Sequence, residues 1–140
     1  MTVIVTDNGF EADDWTDGFV RWEDVNAAPS ENAALDLPNT VFLADIETQV
    51  RDFPMIRIAF PSSADGRGFT LAAQLRQTGY TGRLRAVGHV LADQYAMARR
   101  SGFDEVEIDD TLAARQPEEQ WVFRANWTAH DYQSKLRATA

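Results

Sequence analysis

Two short runs in this sequence hold the residue types that chemistry needs. The first is Asp65-Gly66-Arg67-Gly68. Its glycines let the backbone approach a ligand closely, and the amide N–H groups of a helix opening there favour an anion. Arg67 offers a planar fork that clamps phosphate, sulfate or a carboxylate. The second run is Gly88-His89, with Asp93 and Gln94 about one turn further on. An imidazole and a carboxylate four residues apart share a face if the segment is helical. His89 and Asp93 are therefore the candidate catalytic pair, suited to proton transfer. Asp65, Gly66, Arg67 and Gly68 are the candidate anion-binding loop.

The composition excludes other chemistry. The 140 residues contain two histidines and no cysteine. The chain alone can therefore ligate no iron–sulfur cluster and build no Cys or His-rich metal site, so no metal site is expected. Disulfides and a thiol nucleophile are ruled out with them. No Walker A ending follows the Asp65 loop, Leu71 stands where a dinucleotide fingerprint needs its third glycine, and no G-x-S-x-G elbow occurs. A redox role would need a flavin or nicotinamide held without a recognised motif.

Thirteen Lys and Arg against 22 Asp and Glu leave a formal charge of −9. A non-specific grip on nucleic acid needs the opposite sign. No run approaches the roughly 18 apolar residues of a membrane span, and the N-terminus lacks a basic, apolar leader. A cytoplasmic protein is the expectation.

The elements that must position these runs read as one α/β domain over residues 1–140. Val3-Ile4-Val5 and Phe10 onward, joined at Asn8-Gly9, predict a β-hairpin over residues 1–15. Residues 16–39 read as an acidic surface connection. Residues 40–108 read as the core. Ala44 to Phe53 has helical composition and stops before Pro54. Ile56, Ile58 and Phe60 alternate as in a strand. Helices follow over 69–78 and 90–101, each closed by glycine and an aromatic residue, Gly79-Tyr80 and Gly102-Phe103, the pattern of a Schellman stop. Strands are expected at 84–87 and 103–108. This βαβαβ rhythm predicts a mostly parallel sheet, flavodoxin-like or a partial barrel, between an N-terminal hairpin and a C-terminal helical segment over 109–140, read as helical over 110–126 and 128–138 with Pro117 as a helix start.

Three blocks carry a family resemblance. They are Asp65-Gly66-Arg67-Gly68-Phe69-Thr70, then Tyr80-Thr81-Gly82-Arg83-Leu84-Arg85-Ala86-Val87-Gly88-His89-Val90-Leu91-Ala92-Asp93-Gln94, then Arg99-Arg100-Ser101-Gly102-Phe103-Asp104. Together they resemble the bacterial domain-of-unknown-function family 934. The match is good over residues 56–108. The hairpin ending in Asp13-Asp14-Trp15 is similar too, and the acidic connection and the C-terminal tail match poorly. The chain departs from the family pattern at His89, where many members carry Asp.

On the family pattern, Arg85, Gly88 and Gln94 join the Asp65–Gly68 loop as the anion-binding set. The resemblance implies an accessory protein of assimilatory sulfite reduction. Its partner would be the sulfite reductase hemoprotein or that enzyme's electron donor, and its ligand a small anion such as sulfite, sulfate or phosphate. The alternative it implies is a small oxidoreductase acting on an anionic substrate with a bound cofactor. A homo-oligomer is compatible with either, and neither requires a membrane.

Overall fold

The computed structural model describes residues 2–25 and 32–130. Seven strands form one sheet in the order β2-β1-β7-β6-β5-β4-β3. β1 (Thr2–Thr6) and β2 (Gly9–Glu11) make the expected hairpin. Thr6 pairs with Gly9, so the turn is centred on Asp7 and Asn8, one residue earlier than Asn8-Gly9 suggests. The shift suits Asp7, whose carboxylate accepts from Tyr95 Oη at 2.6 Å and from the Arg99 fork.

β3 (Phe19–Arg21), β4 (Ala34–Leu37), β5 (Met55–Phe60), β6 (Arg83–Gly88) and β7 (Glu105–Asp109) are parallel and stand side by side in chain order. The order never reverses among them. A flavodoxin-like sheet reverses at its switch point, so this sheet has the order of a barrel segment. Right-handed crossovers in a constant direction put every connecting helix on one face.

The connecting helices are α1 (Leu43–Ile46), α2 (Arg67–Gln77) and α3 (Tyr95–Ser101); α4 (Asp110–Arg115) and α5 (Glu118–Phe123) follow the last strand. Leu71, Leu75, Tyr95, Ala98, Leu112 and Trp121 join Ile56, Ile58, Leu84, Ala86, Val106 and Ile108 in a continuous core. Both predicted glycine stops form. Tyr80 N–H reaches Leu75 O and Phe103 N–H reaches Ala98 O, each at 3.1 Å. Gly79 and Gly102 take the left-handed conformation that such a stop requires.

Three expectations change. The acidic stretch 16–39 holds β3 and β4, which extend the sheet by two strands. Both are short, and each places a charged residue, Arg21 or Asp36, inside an apolar run. Ala44 to Phe53 is helical only through Ile46 and continues as turns. The helix read over 110–126 is two helices, broken at Gln116-Pro117 because proline supplies no N–H to continue the first. The further helix expected over 128–138 falls mostly outside the described residues; Trp127–His130 form one 3-10 turn.

Candidate functional site

The carboxyl ends of β5, β6 and β7 bring the candidate loops to one rim of the sheet. The loop after β5 ends at Gly66, and α2 opens at Arg67. Arg67 does not point its fork outward to an empty place. Nε lies 3.0 Å from Asp65 Oδ1 and Nη2 lies 2.7 Å from Oδ2. That bidentate pair, helped by Asn39, holds the Asp65 carboxyl well below the ordinary carboxylate range. An anion at Arg67 would compete with a carboxylate already in the fork. Gly68 has a packing reason to be glycine, because a Cβ there would sit 2.5 Å from the Phe60 ring.

The second loop starts at Gly88, with φ +118°, where a Cβ would lie 2.5 Å from Phe60 O. Only glycine fits that approach. The turn is locked by His89 N–H donating to Phe60 O at 2.9 Å. His89 and Asp93 do not share a helix face as their spacing suggests. Leu91 is extended and the first helical residues, a 3-10 turn, are Ala92–Gln94. Asp93 instead accepts from Arg124 at 2.9 Å, in an exposed pair. Gln94 is spent on structure. Its Oε1 accepts from Leu91 N–H and its Nε2 donates to Ser63 O, which ties the second loop to the first.

Arg85 departs furthest from expectation. It is on the sheet face opposite the helices and is fully buried. Nε donates to Glu105 and Nη1 donates to Glu107 Oε1 at 3.0 Å. The group belongs to a charged ladder across four strands. Arg57 on β5 donates to Asp36 on β4 at 2.6 and 2.7 Å and to Glu107 on β7 at 3.1 Å. Arg83 on β6 donates to Glu105 at 2.7 and 2.9 Å. The two glutamates take Nε and Nη1, and Nη2, left without a hydrogen-bond partner, is buried out of reach of a dissolved anion.

A strap covers this ladder. Residues 12–18 run from β2 at one sheet edge to β3 at the other, passing over β6. Asp14 accepts from Arg83 Nη2 at 2.6 Å. Asp13 Oδ1 lies 3.1 Å from Arg85 Nη2, close enough for an ion pair but misaligned for a hydrogen bond. The Arg83 hydrogen bond holds Asp14 below its ordinary value. Burial raises Asp13, but the Trp15 N–H and Arg85 outweigh it and the net shift is downward.

Two concavities flank the rim. One, of about 130 Å³, lies at the carboxyl ends of β6 and β7 between His89, Asp109 and Arg115. The other is a groove of about 550 Å³ between α3 and the C-terminal segment, lined by Met97, Phe123, Arg100, Arg124 and Trp127 among others. Met97 and Phe123 are largely exposed there. Among the described residues no group of three or more His, Asp or Glu could hold a metal. None of their helices is long and apolar enough to cross a membrane.

The sequence matches the profile of a family described as bacterial protein of unknown function, DUF934, over residues 34–140. The chain belongs to that family. The matched region holds β4 to β7 and all five helices, and with them every candidate site residue. It takes in the C-terminal tail, which the three motif blocks reached poorly, and leaves out the hairpin and the acidic strap. No curated protein matches the chain.

Sequence reasoning missed Arg57, Glu105, Glu107 and Arg115. The first three show a signal in hindsight. Opposite charges occupy alternate positions of adjacent strands, Arg57 in β5, Arg83 and Arg85 in β6, Glu105 and Glu107 in β7, where a solvent-facing polar face and a paired ladder look alike in one strand. Arg115 carries no local signal beyond its place in the last turn of α4.

Proposed function

We propose that this protein works by binding, as an accessory of assimilatory sulfite reduction that docks on the reductase hemoprotein or its electron donor and holds a small anion. The observation that carries the docking half is the groove between α3 and α5. Phe123 is 73% exposed, and Met97 is 53% exposed beside it. Large apolar side chains grouped at a groove with arginines on its walls are the composition of a protein contact. The formal charge of −9 favours encounter with a basic partner. The pathway is what the resemblance described above implies.

Binding is preferred to catalysis because the proposed catalytic pair is not assembled. Asp93 is engaged with Arg124 and stands on the far side of an extended segment from His89. Among the described residues no side chain carries electrons, so an oxidoreductase role would depend on a cofactor.

The test is a pull-down of the sulfite reductase from the same cell, with an absorption spectrum of the purified protein. Co-purification that Phe123→Asp abolishes supports docking through the groove. A bound chromophore would replace this reading with an enzymatic one. A colourless protein that leaves the reductase behind refutes it, as does a gene deletion that leaves growth on sulfate intact.

A further inference from the structure

We infer that the small anion binds in the 130 Å³ cavity at the carboxyl ends of β6 and β7, between His89 and Arg115. This rests on the anion-binding half of the proposed function and moves it away from the Asp65 loop.

The argument is one of uncommitted groups. Arg67, the expected clamp, already holds Asp65 in a bidentate pair. Arg57 and Arg83 are taken up by carboxylates of the ladder and strap, and the one Arg85 nitrogen left without a hydrogen bond, Nη2, is buried beneath Asp13. Among the described residues, His89 and Arg115 have no side-chain partner, and both line one concave surface. The two acids on the same wall are occupied. Glu107 accepts from Arg57 and Arg85. Asp109 Oδ1 accepts from Leu112 N–H at 2.8 Å, capping α4. Two guanidinium groups balance the Glu107 charge and the amides at the start of α4 face that of Asp109, while the His89 and Arg115 side chains line the space. Thr2 also lines the cavity.

The backbone holds His89 in place. Gly88 turns the chain through a conformation closed to other residues, and the His89 N–H is bonded to Phe60 O. The imidazole is thus carried on a fixed turn and not on a mobile loop.

Size selects the ligand class. A water takes about 30 Å³ of liquid, so the cavity has room for roughly four. That fits a compact oxyanion such as sulfite, sulfate or phosphate. Drug-sized and cofactor ligands use clefts of about 300 Å³ or more, so this cavity is not a flavin or nicotinamide site.

The experiment titrates the full chain with sulfite, sulfate and inorganic phosphate in separate calorimetric runs. The His89 imidazole is followed in parallel by nitrogen-15 NMR. The expected result is saturable binding of at least one ion, a perturbed His89 signal, and about tenfold weaker binding in Arg115→Ala, with Arg67→Ala unchanged. Arg115 is exposed, so its variant should melt like the parent, and His89→Asn supplies a second, independent loss. The site is overturned if none of the three ions moves the His89 signal, or if Arg115→Ala and His89→Asn bind as the parent does. Binding lost only in Arg67→Ala overturns it in favour of the Asp65 loop. A chain that captures the reductase and binds no ion refutes the site and leaves docking standing. A chain that binds the ion at His89 and captures no reductase does the reverse.

Discussion

Arg57 and Arg85 stand directly opposite one another on neighbouring parallel strands, and one oxygen of Glu107 accepts a hydrogen bond from both. Like charges in register repel, so this contact is tolerable only with the carboxylate between them. Glu107 is nearly buried and Arg85 completely so, which leaves water little part in the neutralisation.

Glu107→Gln should therefore cost about 3–5 kcal/mol, the penalty of removing one partner from a buried ion pair. Urea unfolding measures it. Replacing Asp36, Arg57, Arg85 and Glu107 together by apolar residues of similar volume should recover most of that loss, because Glu105 keeps Arg83 and no buried charge then lacks a partner. If the single variant is as stable as the parent, the ladder does not hold the sheet.

Acid should loosen the strap before it unfolds the core. The Asp13 and Asp14 carboxyls are both held below the ordinary value of 3.8. A depressed folded-state value means their stabilisation is complete above 3.8 and is lost as the pH falls through the lower, folded value. The Trp15 N–H bonds to Asp13 Oδ1, so hydrogen exchange at Trp15 should accelerate in that window ahead of the β6 amides. Exposed Asp14 contributes little to global stability, and the Asp13→Asn, Asp14→Asn double variant should lose the early phase. Simultaneous exchange of strap and sheet would contradict this order.

Gly88→Ala tests the turn that carries His89. The new Cβ would meet Phe60 O at 2.5 Å in a backbone conformation with φ +118°. Strain of this kind costs about 1–3 kcal/mol, and the clash with a fixed carbonyl adds to it. Thermal unfolding should show a clear drop, and the His89 signal should move in the ligand-free protein. An unchanged melt would mean that the loop relaxes freely.

Phe123→Asp separates folding from docking. The ring is mostly solvent-exposed, so stability should stay within about 0.5 kcal/mol of the parent. Partner capture should nonetheless be lost. A large drop in melting temperature would assign the ring to packing and leave the groove without its main contact.

Local signals in the sequence give the parts of the fold that neighbouring residues dictate. Alternation at Ile56, Ile58 and Phe60 marks β5, and the Gly79-Tyr80 and Gly102-Phe103 pairs end α2 and α3 as their chemistry requires. β3 and β4 were hidden because each is short and is stabilised by the strand beside it, a context absent from its own letters. The pairing of Asp13 and Asp14 with Arg85 and Arg83 spans some 70 residues of sequence. In the sequence they mark only the end of the predicted hairpin. His89 was legible as a candidate from its residue type. Its cavity depends on Arg115 and Asp109, which reach it only through the β6–β7 pairing and the start of α4.

The hairpin at the start of the chain docks on the strand that forms last. β1 pairs with β7 from Thr2 against Asp109 to Val5 against Val106. During synthesis, which runs at about 5–20 residues per second, the first strand must wait several seconds for its partner to leave the ribosome. The strap is under the same constraint, since Arg83 and Arg85 emerge long after Asp13 and Asp14. Loop closure over such a separation is slow to be rewarded. Assembly should thus begin among β5, α2 and β6, and the N-terminal segment should clamp the finished sheet as the final event of folding.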